Sequence, residues 1–303
     1  MTLAELVLVA LLAPAGAVGV KLPALGELVQ AARSRDDVEI ERVASRLGPV
    51  KLERVAEKGK REERLAALRA LPLVDNAWAM LPQLALLCGD ADVDVAEAAA
   101  RAARRICESL DPARMEADEI PRDVPRRAQA ELLKQASRVE LRPDVRVSAI
   151  AAAAALRAVV PIDEPMLAKL LGDEEAQVRR AAVEALAGAP GQDAPLAAAL
   201  ASDASAEVAA AAAAAICRDV PATASAPKAP PSAAETRAGK LPQPARQRLR
   251  ALALDDALPL ADRLDLVACL RVFAQPDDQK ILDQLARRPP EALKRRARSL
   301  GGR

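Results

Sequence analysis

Apolar side chains return along most of this chain every three to four residues, with charged ones between them. From Val178 the set Val178, Ala181, Ala182, Ala185 and Leu186 runs i, i+3, i+4, i+7, i+8, and Arg179, Arg180 and Glu184 fall outside it. Such a stripe predicts an amphipathic helix that buries one side against a neighbour. Asp173 opens the turn before it, and Gly188 with Pro190 stops it. The same spacing predicts helix pairs over 23–47, 49–72, 76–108, 123–158, 164–187, 194–219, 243–273 and 277–300.

Two of these stretches align without a gap. Leu170 to Leu186 reads LLGDEEAQVRRAAVEAL, and thirty residues on Leu200 to Ile216 reads LASDASAEVAAAAAAAI, so Asp173/Asp203, Val178/Val208 and Leu186/Ile216 share a register. A looser copy runs from Asp90 to Ala103, where Val95, Ala98 and Ala99 match Val178, Ala181 and Ala182. Asp144 to Ile150 supplies a unit between them. A fixed period means a stack in which each helix pair buries its apolar side only against the next. The expected fold is therefore all-α, an α-solenoid of about eight antiparallel helix pairs.

Composition narrows the chemistry. Of 303 residues 73 are alanine, while histidine and tyrosine are absent and Phe273 and Trp78 stand alone of their kinds. Alanine favours helix, and the aromatic and β-branched residues of sheets are too sparse for strands. With 44 basic against 43 acidic residues the net charge is +1, so bulk attraction to nucleic acid is not indicated. The lack of histidine closes the Ser/His/Asp, Cys/His and histidine-ligated zinc routes. No enzyme activity, cofactor or metal is expected.

The stretch LLGDEEAQVRRAAVEAL, with Asp173 and Val178-Arg179 at their separation, resembles the HEAT-repeat family. The resemblance implies antiparallel helix pairs in a superhelix, with protein partners held along the second-helix side. It also implies an aspartate–arginine ladder between neighbouring repeats. Ala96 and Ala209 occupy the arginine position in two units, so a degenerate ladder is expected, with the stack relying mostly on alanine and leucine packing.

The ends and one internal segment stand apart. Leu6 to Leu12 is a seven-residue apolar run followed by two small-x-small patterns over Ala13 to Ala17, so residues 1–17 resemble a secretory signal peptide and the mature chain is expected to start near Val18. The run is too short to span a bilayer, and no stable membrane insertion is expected. The solenoid then occupies 18–219. Pro221 to Lys240 is rich in proline, alanine and serine, which makes 220–240 a linker, and 241–303 returns to helical spacing as a C-terminal cap.

Cys88, Cys107, Cys217 and Cys269 show no C-x-x-C spacing. Their plainest role is as buried apolar thiols. In an exported protein Cys217 and Cys269 are the pair to join, because they flank the linker on helices that could stack across it. Closing that loop stabilises the fold by roughly 4 kcal/mol on the chain-entropy model. Cys88 and Cys107 sit near opposite ends of what the spacing reads as one helix, about 20 Å apart, and make poor mutual partners.

The generic contact surface is expected on the second helices, at residues such as Arg179, Arg180 and Glu184. A terminal basic cluster that includes Lys294, Arg295 and Arg298 could meet an anionic partner, or could simply complement a helix dipole and keep an exposed cap soluble. Trp78, with Leu81 and Ala85 at i+3 and i+7, is expected in the core. The resulting expectation is an exported, periplasmic or secreted, non-enzymatic scaffold for a protein partner. The alternatives are a bilin-lyase-like or chaperone-like factor for a chromophore, and a cytoplasmic regulatory scaffold.

Overall fold

A computed structural model describes residues 23–187, 189, 191–217, 241–273, 276–287 and 290–301, with side chains except at 271–273, 276, 296 and 298–301. The apolar leader at 1–17 and the linker at 220–240 fall outside the described residues. Among those described there is helix and turn but no strand, as the alanine-rich composition requires. The chain divides into two compact units, 1–75 and 76–303, and the division falls between the expected pairs at 49–72 and 76–108, inside the stretch 18–219 that the sequence reads as one solenoid.

The first unit holds α1 (Pro23–Ser34), α2 (Asp37–Leu47), α3 (Pro49–Lys58) and α4 (Arg61–Ala70). Local chemistry sets each boundary. Asp36 caps α2 by accepting the Glu39 N–H at 3.1 Å. Gly48, at φ +74°, turns the chain sharply so that Pro49 can start α3. Gly59 ends α3 by donating to the Val55 carbonyl at 2.8 Å. Helix α1 packs on α2 and α4, and α3 packs on α4. Leu28, Ile40, Val43, Leu52 and Leu68 are buried between them, and each contributes about 1.5–3 kcal/mol of burial.

The second unit is a stack. Its helices are α5 (Leu81–Leu87), α6 (Val93–Glu108), α7 (Pro112–Ala117), α8 (Asp123–Ala136), α9 (Pro143–Ala155), α10 (Glu164–Leu170), α11 (Ala176–Leu186), α12 (Asp193–Ser202), α13 (Ala206–Ile216), α14 (Gln243–Ala253), α15 (Leu260–Phe273), α16 (Pro276–Leu285) and α17 (Glu291–Gly301). Helices pair along the chain as α5/α6, α8/α9, α10/α11, α12/α13, α14/α15 and α16/α17. The second members then touch in series, α6 to α9 to α11 to α13 to α15 to α17. Helices α11 and α13 start at Ala176 and Ala206 and end at Leu186 and Ile216, so the thirty-residue period of the sequence is a structural period. Helix α13 is buried almost all round, at Val208, Ala209 to Ala213, Ala215 and Ile216. It lies among α11, α12, α14 and α15, and only small side chains let four neighbours approach one helix closely.

Two sequence expectations change here. Residues 76–108 hold a helix pair, but Cys88 and Cys107 do not share one helix, because the turn around Gly89 separates α5 from α6. Gly89 lies so close to the ends of the Gln135 and Arg138 side chains that a Cβ there would push both aside. Cys88 caps α5 and Cys107 lies in the last turn of α6. Burial raises the Cys107 thiol and Cys88, on the paired helix, adds to the rise. Both are free and buried, and burial pushes Cys88 up to about 12. Trp78 lies on a short 3-10 turn ahead of α5 and is only half-buried, its indole N–H without a partner among the described residues.

Candidate interaction surface

What fixes the second helices in place is a repeated turn and a buried arginine ladder. At Asp90, Asp173 and Asp203 the carboxylate accepts the backbone N–H two residues on, at 2.9, 3.0 and 2.8 Å. Each of these turns precedes a second helix, α6, α11 or α13, and shapes its entry. In the unit between them, the Val145-Arg146 register puts Glu140 at the aspartate position. Its carboxylate is held below the usual range chiefly by the hydrogen bond from Arg138.

Arginines then reach from one repeat to the turn of the next. Arg146, on α9, is 2% exposed, and its guanidinium pairs with both oxygens of Asp173. Its Nε also donates to the Ala136 carbonyl at 2.7 Å, which satisfies the end of α8. Arg179, on α11, repeats the device toward Asp203, with Nε–Oδ2 2.8 Å and Nη2–Oδ1 2.9 Å. Its Nη1 donates to the carbonyls of Asp173 and Glu174 at 2.8 and 2.9 Å. Bidentate charged pairs of this kind fix geometry as well as energy. The hydrogen bond to Asp203 raises Arg179 against burial. Burial alone would raise Asp203, but Arg179 and the Ser205 N–H outweigh it and hold its carboxyl below the usual range.

The ladder is broken where Ala96 and Ala209 stand, as expected, but two consecutive rungs are complete across α9, α11 and α13 among the described residues. The second rung also moves Arg179 off the contact surface, since its side chain is 14% exposed and belongs to the stack.

Arg180 and Glu184 do face outward, but as part of a group drawn from three helices. Arg180 Nε meets Glu184 Oε1 at 3.0 Å, Nη1 lies 3.6 Å from Glu207 Oε2 of α13, and Nη2 lies 3.4 Å from Asp262 Oδ1 of α15. Burial works against the Arg180 charge, and the carboxylates around it raise its pKa regardless. Three carboxylates share one guanidinium, so the network carries excess negative charge. Glu184 and Glu207 remain more than half exposed. Asp262 Oδ2 is buried with no hydrogen-bond partner among the described residues. No sequence signal connects Asp262 to Arg180, 82 positions away.

The remaining candidates are dispersed. Lys294 is bonded to Glu291 at 2.6 Å within α17, and Arg295 is exposed. The Arg298 side chain lies outside the described residues. Cys217, capping α13, and Cys269, within α15, are joined as a disulfide with their Cα atoms 5.5 Å apart. Among the described residues no group of three or more His, Cys, Asp or Glu side chains could hold a metal ion. No described helix is long and apolar enough to cross a membrane.

No curated protein matches the chain as a relative. The HEAT repeat family profile matches residues 165–188, which are α10 and α11 with the Asp173 turn between them. With that match set on a stack of paired helices tied by aspartate–arginine rungs, residues 165–188 are a HEAT-like repeat within an all-helical stack.

Proposed function

We propose that this protein is an exported, non-enzymatic scaffold that holds a protein partner along the second helices of its stack. HEAT repeats generally mediate protein interactions. The observation that carries the reading is the alignment of second helices in series. It sets the second helices side by side from α6 to α17, fixed in part by buried rungs and open to solvent at Arg180, Glu184 and Glu207. A long face of this kind binds an extended surface without any reactive group. Its polar network gives specificity through charge, and the excess carboxylates favour a partner with basic residues opposite them.

Export is supported by the apolar leader in the sequence and by the Cys217–Cys269 disulfide, since such bonds persist in oxidising compartments. Cross-linking in the native cell, followed by mass spectrometry, tests the reading. The expected result is one reproducible protein partner whose cross-links map to α11, α13 and α15, recovered from the periplasmic or secreted fraction. Cross-links confined to the first helices would refute the assigned face. Recovery only from the cytoplasm would refute export, and a co-purifying pigment would replace the scaffold with a chromophore factor.

A further inference from the structure

The Cys217–Cys269 bond joins parts of the chain that lie on either side of residues 218–240. Cys217 ends α13, and Cys269 lies well inside α15. Helix α15 packs on α13 and α14 packs on α12, so the two sulfurs meet only once the C-terminal helices have docked. Both sulfur-bearing residues are then sealed. Cys269 has no exposed surface and Cys217 is 8% exposed. Thiol–disulfide exchange needs an attacking thiolate to reach a sulfur directly, and the docked fold leaves no such approach.

We propose that this disulfide is a docking-gated lock, closed only after α15 seats on α13 and opened only after α15 lifts from it. When α15 lifts, a thiolate of an external dithiol attacks Cys217 Sγ, the S–S bond breaks, and Cys269 leaves as a thiolate that takes a proton from water. The second thiolate of the reductant attacks the mixed disulfide, releases Cys217 as its thiolate, and leaves the reductant as a disulfide. The redocked state already offers the Cys269 thiol an acceptor, the Ala213 carbonyl 3.7 Å from Sγ. Reduction is therefore limited by the opening of α15, a sub-global event whose frequency depends on how well that helix is held. Leu266 and Val267 hold it from within the core, and the Arg180–Asp262 pair holds it from the surface.

The full oxidised chain is treated with dithiothreitol, free thiols are alkylated at intervals, and Cys217 and Cys269 are quantified by peptide mass spectrometry. Native release is expected to be at least ~10-fold slower than in about 6 M guanidinium. Leu266→Ala should speed native release without changing the rate in guanidinium, and Asp262→Asn gives the same readout in a fold with its core intact. Acceleration by either substitution supports the lock. Native release less than ~10-fold slower than denatured release overturns it, as does a native rate that neither substitution moves.

Discussion

Replacing Arg146 by methionine removes the most deeply buried charge of the ladder and leaves its partner behind. The apolar part of the side chain is kept, so packing changes little. What changes is that Asp173, 8% exposed, loses both guanidinium bonds, and the Ala136 carbonyl loses its donor. Among the described residues the Asp173 carboxylate then keeps only the Glu175 N–H at 3.0 Å. Removing one member of a buried pair costs about 3–5 kcal/mol because the remaining charge is uncompensated. Against a total stability of about 5–15 kcal/mol, that is a large fraction. For a unit of this size it amounts to a melting shift of roughly 6–20 °C. The double variant Arg146→Met with Asp173→Asn should recover most of the loss, since the amide still accepts from Glu175 and no charge is stranded. Differential scanning calorimetry of both variants, with exposed Arg104→Ala as the control, separates the two effects. A loss below ~1 kcal/mol for Arg146→Met, no larger than a surface pair, would refute the claim that the rung fixes the stack.

Three other outcomes follow from the same geometry. The folded Asp203 carboxyl sits below its ordinary value, so the stability it contributes is present above roughly pH 3.9 and is lost as pH falls through the lowered folded value. Acid titration of unfolding should lose that part of its slope in Asp203→Asn. Gly59→Ala should destabilise the first unit by about 1–3 kcal/mol, because its Cβ would lie 2.6 Å from the Val55 carbonyl oxygen, a backbone atom that cannot swing away. Denaturant unfolding that matches the parent would count against the close approach. Cys88 and Cys107 should resist maleimide in the native protein and react on unfolding, since burial raises both thiols. Mass spectrometry of the labelled chain reads this directly.

Apolar spacing and the thirty-residue period determined that the chain is helical, where α11 and α13 begin and end, and that Asp173 and Asp203 stand at equivalent turns. These are local properties: a 3.6-residue period and an aspartate that accepts from its own backbone act within one turn. Spacing put a helix pair over 76–108 but ran one helix from Cys88 to Cys107, because a short turn between two apolar helices keeps the same composition. It also placed Arg179 outside its helix, where periodicity puts any charge, whereas the next repeat turns that side chain inward onto Asp203. Arg146 is the same case, a polar position in the pattern that becomes the largest fully buried side chain among the described residues.

The tertiary structure alone decided which charges meet. Arg180 finds Asp262 across 82 positions, through the stacking of α15 on α13. A helix carries its own pattern in sequence, but its neighbour is chosen by the fit of whole faces, and residues far apart in the chain become partners only when those faces close.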